Sequence, residues 1–143
     1  LATGTGIAGL TILGIEEVDR QKLVKDLREK TNLPIEDGPL TLDMLRNWVP
    51  HVRTLIHCTP VGMSPRVEES CVPTNLFRPE LTVMDIVYNP RETKLLQEAK
   101  AAGCRTISGL EMFLNQAVLQ FELWTKQPAP ADVMRRVLES RFG

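Results

Sequence analysis

Short apolar runs alternate along this chain with longer segments whose apolar residues recur every three or four positions. The short runs are rich in β-branched residues and predict strands at 10–13, 33–35, 54–58, 81–86 and 105–107. The longer segments predict helices at 18–30, 42–48, 92–102, 110–121 and 131–141. Because parallel strands need crossover connections, this order predicts an α/β fold whose parallel sheet is covered by helices.

The expected boundaries follow from capping and turn residues. Thr41 is the predicted N-cap of the second helix, and Gly103 stands at the C′ position of the third. A turn is expected at 37–39, which is Asp-Gly-Pro, and irregular backbone is expected at 66–79. The fourth helix is predicted to carry one apolar stripe, formed by Leu110, Phe113, Leu114, Ala117, Val118 and Phe121.

Composition limits the class of protein. The chain has 143 residues, of which 43% are hydrophobic and 24% charged, so we expect residues 1–143 to form a single globular domain. Its 17 basic and 18 acidic residues are interspersed, which argues against nucleic acid or an anionic membrane as a partner. The apolar runs are too short to span a membrane, and the first residues lack the charged region of a signal peptide, so a cytoplasmic location is predicted.

Cysteine and histidine usage predicts neither a disulfide framework nor a metal site. The three cysteines are widely spaced without a CxxC pair, and the chain has only two histidines. His57 and Cys58 are adjacent, as in a nucleophile and base pair. Neighbours on a strand point to opposite faces, however, so we expect their side chains to lie apart.

The run His57 to Pro65, HCTPVGMSP, leaves a predicted strand and immediately becomes rich in proline and glycine. In open α/β sheets, ligands bind beyond the carboxyl ends of the strands, so a stiff loop at this place is a candidate cofactor contact. Taken alone, the same residues are also compatible with an ordinary turn.

The N-terminal run GTGIAG has the spacing of a dinucleotide fingerprint at Gly4, Gly6 and Gly9. A working fingerprint follows a strand and opens a helix, whereas here the strand-like residues 10–13 come after it. We therefore expect the chain to start near the second strand of a Rossmann sheet, without the first β-α unit. Such a chain should bind a dinucleotide weakly on its own.

The fourth predicted helix also carries a line of side chains at four-residue spacing, namely Met112, Gln116 and Gln120. That line could face a cleft. The alternative is that Met112 fills core space and the glutamines lie at the solvent boundary. Tyr88, which precedes Asn89 and a proline, is open to the same two interpretations.

Three segments together carry a resemblance to a known family. They are HCTPVGMSP, the run MDIVYNPRETKLL at 84–96, and the run CRTISGLEMFLNQAVLQFELWT at 104–125. In order and spacing they resemble the shikimate dehydrogenase family, densely from about Thr54 to the end. The resemblance implies a Rossmann-like three-layer cofactor-binding domain with a mostly parallel sheet and C-terminal helices. It also implies NADPH-dependent reduction of 3-dehydroshikimate to shikimate, a step of aromatic amino acid biosynthesis.

The resemblance implies roles for individual residues. The residues expected beside the cofactor are Thr59, Pro60, Val61, Gly62 and Met63, with backbone from Gly109 for the nicotinamide amide and Met112 against its ring. Tyr88 and Gln116 are implied substrate contacts. The family usually has asparagine where this chain has His57, so that polar contact is altered.

The family's catalytic lysine and aspartate belong to a separate substrate domain, and no stretch of this chain resembles that domain. We therefore assign no catalytic residue and expect the chain alone not to turn over. Its expected partners are the substrate domain and shikimate or 3-dehydroshikimate. The alternatives are an NAD-using quinate/shikimate dehydrogenase and a non-catalytic module that binds a nucleotide or a partner.

The cofactor itself is expected to be NADP, with NAD as the alternative. Where NADP-using relatives commonly have Asn-Arg-Thr after the strand, this chain has Gly-Ile-Glu at 14–16. Carboxylates at Glu16 and Glu17 suit a ribose 2′-hydroxyl better than a 2′-phosphate. Arg20 and Lys22, nearby on the predicted helix, could compensate for the missing arginine.

Overall fold

A computed structural model describes residues 6–142 of the chain. These residues form two compact units, which divide after His51. Each unit has its own parallel sheet, and each is described here by itself. The α/β class predicted from the alternating pattern is confirmed, because every strand pairing among the described residues is parallel.

The first unit contains two strands and two helices. Strand β1 (Leu10–Gly14) is followed by helix α1 (Glu17–Lys30), strand β2 (Ile35–Pro39) and helix α2 (Leu42–Trp48). A short 3-10 turn, Val49–His51, ends the unit. As predicted, the Thr41 hydroxyl caps α2 by accepting a hydrogen bond from the Met44 amide, at 3.3 Å.

The turn predicted at residues 37–39 is wrong. Asp37, Gly38 and Pro39 belong to β2, and the predicted strand at 33–35 overlaps the real one only at Ile35. The pairing explains the error, because β1 runs alongside β2 from Leu10 opposite Ile35 to Gly14 opposite Pro39. Inter-strand hydrogen bonds hold turn-forming residues in an extended conformation there, and proline is tolerated because β2 pairs with only one strand among the described residues.

The second unit begins with strand β3 (Thr54–His57), followed by a long irregular segment with one 3-10 turn at Thr74–Leu76. Its remaining elements are strands β4 (Thr82–Asp85) and β5 (Arg105–Ile107) and helices α3 (Lys94–Ala101), α4 (Gly109–Thr125) and α5 (Ala131–Phe142). The sheet order is β3-β4-β5, with β4 in the centre. The carboxyl ends of β3 and β4 therefore lie side by side, His57 opposite Asp85.

The described strands form two separate parallel sheets, whereas the sequence predicted one. This chain has one pair, β1-β2, and one triplet, β3-β4-β5, and none of the described strands joins them. The single sheet expected from the sequence is thus found as two sheets among the described residues. The expectation of a single domain stays a prediction.

The core of the second unit forms where α3 covers the sheet. The side chains that are at most 2% exposed there come from both elements. They are Leu81, just before β4, Val83 within it, and Leu95, Leu96 and Ala99 of α3. Helix α3 starts at the buried N-cap Thr93 and ends before Gly103, whose φ of +82° is the left-handed conformation predicted for the C′ position.

Candidate functional site at the carboxyl ends of β3 and β4

The loop after β3 is a series of tight turns. The Thr59 hydroxyl accepts a hydrogen bond from the Val61 amide at 3.3 Å, and the Met63 amide donates to the Pro60 carbonyl at 3.2 Å. The next residue, Ser64, donates its amide to the carbonyl of Asn89 at 3.3 Å. These bonds fix the loop and tie it to the segment that leaves β4.

Gly62 is the one residue of this loop that must be glycine. Its φ is +79°, and a Cβ on it would lie 3.0 Å from the Glu69 carbonyl oxygen and 3.7 Å from Thr93 Cβ. The loop backbone is therefore packed closely against the backbone at Glu69 and is in van der Waals contact with the N-cap of α3.

Beneath the loop lies a buried polar network centred on His57 and Asp85. His57 Nδ1 is 2.9 Å from Asp85 Oδ1, and His57 Nε2 lies within hydrogen-bonding distance of Thr59 Oγ1. Thr93 Oγ1 donates to Asp85 Oδ2 at 2.6 Å, and the Val87 amide donates to Asp85 Oδ1 at 3.0 Å. The Asp85 carboxylate therefore joins the end of β3, the turn after β4 and the N-cap of α3.

His57 carries a proton at neutral pH. Burial opposes the charged imidazolium, but hydrogen bonds and charges from Asp85 and Cys71 outweigh it and raise the pKa of His57 to about 9. With both ring nitrogens protonated, Nδ1 donates to Asp85 and Nε2 donates to Thr59. The loop is thus held by a buried ion pair, in which the His57 side chain is 4% exposed and the Asp85 side chain is fully buried.

Cys58 directly follows β3 and is exposed, whereas its neighbour His57 is buried. The separation of their side chains stays a prediction. Partial burial, together with the charge of Asp85, raises the pKa of the Cys58 thiol. A raised pKa disfavours the thiolate, so Cys58 lacks the property that a nucleophile needs.

The segment after β4 meets the start of α4 at Gly109. A Cβ on Gly109 would lie 2.4 Å from the Ile86 carbonyl oxygen and 2.5 Å from that of Val87, so no larger residue fits without moving backbone. One turn along, the Phe113 ring stacks on Tyr88, with centroids 5.3 Å apart and planes 19° apart. These contacts place the first turns of α4 beside the turn that follows β4.

Helix α4 forms one wall of an open groove of about 500 Å³. Met84 of β4 and Ile107 of β5 also line it. The helix side carries Glu111, Met112, Asn115, Gln116 and Gln120. The line predicted from four-residue spacing, Met112, Gln116 and Gln120, therefore lines one concave surface, which is largely apolar.

An ion pair between α4 and α5 braces the rim of this groove. Arg135 binds both carboxylate oxygens of Glu111, with Nη2 to Oε2 at 2.9 Å. This hydrogen bond, with the charges of Arg135 and Arg91, lowers the pKa of Glu111 although partial burial opposes it. A second pair, Arg91 Nη2 to Glu139 Oε1 at 3.8 Å, also involves α5. Glu111, at the edge of the groove that it lines, is therefore oriented by α5.

The residues predicted for the site fall into two groups. Met112 and Gln116 line the groove, whereas Thr59–Met63 and Tyr88 lie at the loop and turn that follow β3 and β4. Gly109 lies where the two groups meet. The structure also gives Gly109 a packing role that the resemblance did not indicate. The binding roles of all these residues stay predictions.

Asp85 and Thr93 were missed from the sequence. One sequence feature could have indicated them, namely the carboxylate of Asp85 inside the apolar run Leu81 to Tyr88, because a charged side chain in such a run is expected to be buried and paired.

Of the glycines in the GTGIAG run, Gly4 lies outside the described residues. Among residues 6–142 there is no cluster of three metal-ligating side chains and no helix long and apolar enough to cross a membrane.

Comparisons with known proteins agree with this geometry. A family model described as the shikimate 5′-dehydrogenase C-terminal domain matches residues 109–139. A curated shikimate dehydrogenase (NADP(+)) of Dehalococcoides mccartyi is 38% identical over 134 residues, which cover 91% of this chain and 46% of that protein. The chain spans about half the length of the curated relatives it matches.

Solved structures show the same likeness. Shikimate 5-dehydrogenase from Listeria monocytogenes, in complex with shikimate and NAD, matches with a TM-score of 0.85 and 31% identity, over 91% of this chain and 47% of that one. A shikimate dehydrogenase in complex with NADP+ matches with a TM-score of 0.84 and 30% identity, over 94% of this chain and 47% of that one. The predicted resemblance to the shikimate dehydrogenase family and the Rossmann-like fold are both confirmed.

Proposed function

We propose that this chain is the nucleotide-binding part of a shikimate dehydrogenase, which reduces 3-dehydroshikimate to shikimate with a nicotinamide dinucleotide. The similarity to shikimate dehydrogenases over nine-tenths of the chain supports the family. NADP is the cofactor in the names of the curated relatives, and the two solved structures contain NAD and NADP+ respectively. An NAD-using quinate/shikimate dehydrogenase, a non-catalytic binding module and a cytoplasmic location stay predictions from the sequence.

One structural observation carries the proposal. At the adjacent carboxyl ends of β3 and β4, the loop 59–63 is fixed in place by the buried His57–Asp85 pair, and Gly109 brings α4 into backbone contact with the segment after β4. Ligands of open α/β sheets bind at this edge. A rigid loop beside a largely apolar groove whose wall carries glutamine residues suits a flat aromatic amide such as nicotinamide.

Within this site, each group would have a distinct task. The bound dinucleotide would supply a hydride. Met112 offers a polarizable thioether against which an aromatic ring can pack, and Gln116 offers an amide that can donate to or accept from a substrate hydroxyl. Orientation of this kind accelerates hydride transfer, because the reacting carbons must be held in contact.

Proton transfer to the reacting oxygen needs another group. We assign no catalytic residue here, because the lysine and aspartate implied by the resemblance match no stretch of this sequence. We therefore expect the 143-residue chain to bind the cofactor without turning over substrate.

Equilibrium binding tests the proposal directly. The purified chain is titrated with NADH and with NADPH, and the emission of the reduced nicotinamide is followed, with circular dichroism as the check that the chain is folded. Saturable binding of either dinucleotide supports the function. A folded chain that binds neither at millimolar concentration would rule it out.

A further inference from the structure

The Thr59 hydroxyl is where the polar network at the ends of β3 and β4 approaches the surface. Four side chains are linked in this network, from Thr93 through Asp85 and His57 to Thr59. Thr93, Asp85 and His57 are all buried, whereas Thr59 is only half-buried. Thr59 also begins the loop at the sheet edge where ligands of open α/β sheets bind. A ligand can therefore meet this network at Thr59.

Both neighbours of Thr59 Oγ1 donate hydrogen bonds to it. The Val61 amide donates at 3.3 Å, and an amide N–H cannot accept. On the other side lies His57 Nε2. His57 Nδ1 must carry a proton, because its partner at 2.9 Å is the Asp85 carboxylate, which only accepts. Since His57 is charged at neutral pH, Nε2 carries a second proton and donates it to Thr59.

The hydrogen of the Thr59 hydroxyl is therefore left over. A hydroxyl has two lone pairs and one hydrogen, and both lone pairs of Thr59 Oγ1 already accept, from His57 and from Val61. Among residues 6–142, no acceptor is found for the hydrogen itself. The charged imidazole thus leaves Thr59 able to donate, but not to accept, towards any further partner.

On the basis of the function proposed above, we propose that the Thr59 hydroxyl donates a hydrogen bond to an oxygen of the bound dinucleotide, and that His57 is the positioning residue that fixes this direction. The ligand atom is an oxygen that only accepts, either a phosphate oxygen or the carbonyl oxygen of the carboxamide. The resemblance implied that Thr59 lies beside the cofactor and that the polar contact at His57 is altered. The network gives each residue a task, because His57 acts on the ligand through Thr59.

Removal of one proton from His57 reverses the direction of this hydrogen bond. The Asp85 carboxylate keeps the proton on Nδ1, so Nε2 becomes an acceptor and the Thr59 hydroxyl turns to donate to it. The donor is then withdrawn from the ligand. Burial opposes the imidazolium, but Asp85 on β4 and Cys71 in the segment between β3 and β4 outweigh burial and raise the pKa of His57 to about 9. Affinity for the ligand is therefore full below this pH and falls above it.

The pH dependence of NADH binding tests the direction of the hydrogen bond. The dissociation constant for the 143-residue chain is measured at pH 7.5 and 9.5 by reduced nicotinamide emission, with circular dichroism to show that the chain stays folded. We expect binding to be about threefold weaker at pH 9.5, because roughly three-quarters of His57 is then neutral and one hydrogen bond contributes about tenfold.

Two variants identify the group that titrates. His57→Asn should abolish the pH dependence, because an amide does not titrate in this range. Cys58→Ser is the matched control, since it removes the neighbouring thiol, whose pKa is also raised, and should keep the pH dependence. A pH dependence that persists in His57→Asn overturns the inference.

Two further variants test the donor. Thr59→Val lacks the hydroxyl, so it should bind NADH about tenfold more weakly at pH 7.5 and should lose the pH dependence. Thr59→Ser keeps the hydroxyl and should keep both properties. Competition with ADP-ribose, which lacks the nicotinamide, distinguishes the two acceptors. If Thr59→Val loses affinity for ADP-ribose as well, the acceptor is a phosphate oxygen; if it loses affinity for NADH alone, the acceptor is the carboxamide.

The outcomes separate this inference from the proposed function. NADH that binds the unmodified chain equally well at both pH values, or a Thr59→Ser protein as weak as Thr59→Val, overturns the inference and leaves the proposed function standing. A folded chain that binds no NADH overturns both. His57→Asn and Thr59→Val test the same contact from its two sides, so either variant decides if the other fails to fold.

Discussion

His57 and Asp85, 28 residues apart in the sequence, form a buried ion pair whose Nδ1 and Oδ1 atoms are 2.9 Å apart. The pair connects the ends of two neighbouring parallel strands and supports the loop proposed to contact the cofactor. Burial opposes the imidazolium, yet the Asp85 and Cys71 interactions raise the pKa of His57 to about 9. The pair therefore makes stability depend on pH.

The direction of that dependence follows from the raised pKa. The charged imidazolium stabilises the folded state fully below the unfolded pKa of about 6.5. The contribution is lost as pH rises through the folded pKa of about 9. Urea unfolding from pH 6.5 to 9.5 should show a loss on the order of 2–3 kcal/mol. His57→Asn should remove most of this slope, whereas His51→Asn, at the exposed histidine, should keep it. Parallel slopes for all three proteins would contradict the prediction.

Thr93→Val should destabilise the chain by about 2–3 kcal/mol, because it removes both the hydrogen bond to the buried Asp85 carboxylate and the N-cap of α3. Thr41→Val provides the comparison, since Thr41 caps α2 but is exposed and makes no bond to a buried charge. Its cost should be about 1 kcal/mol. Urea denaturation of both variants measures the difference. Equal losses would show that the bond to Asp85 contributes nothing beyond capping.

Gly109→Ala should cost about 1–3 kcal/mol, because the new Cβ would overlap the backbone carbonyls of Ile86 and Val87, and backbone cannot move as freely as a side chain. Ser108→Ala is the control at the neighbouring position, where the side chain makes no capping hydrogen bond. Thermal unfolding of both variants tests this. A Gly109→Ala protein as stable as the Ser108→Ala protein would mean that α4 and the segment after β4 separate easily.

Met112→Ala should weaken NADH binding by about threefold to tenfold while leaving the circular dichroism spectrum unchanged, because a thioether contact with an aromatic ring is lost. Leu123→Ala, at the far end of the same groove, is the spatial control and should bind normally. Titration by reduced nicotinamide emission measures both. If the two variants lose affinity for NADH equally, the nicotinamide ring does not contact Met112.

Several predictions from the sequence are confirmed because they depend on neighbours in the chain. Strand β5 occupies Arg105–Ile107 as predicted, and Thr41 and Gly103 cap their helices as expected. Hydrophobic periodicity also placed Met112, Gln116 and Gln120 on one face of α4. Local sterics and the helical repeat decide such features, so they can be read along the sequence.

The sequence by itself thus determined the element order, the α/β class and the resemblance to shikimate dehydrogenases. Only the tertiary structure decided that Asp37 lies in a strand and holds Arg20, that Asp85 pairs with His57 and Thr93, and that Gly109 touches the backbone beyond β4. These relationships join residues that are 8 to 28 positions apart. Their partners are chosen by strand register and burial, and a buried charge must find whichever partner the fold brings to it.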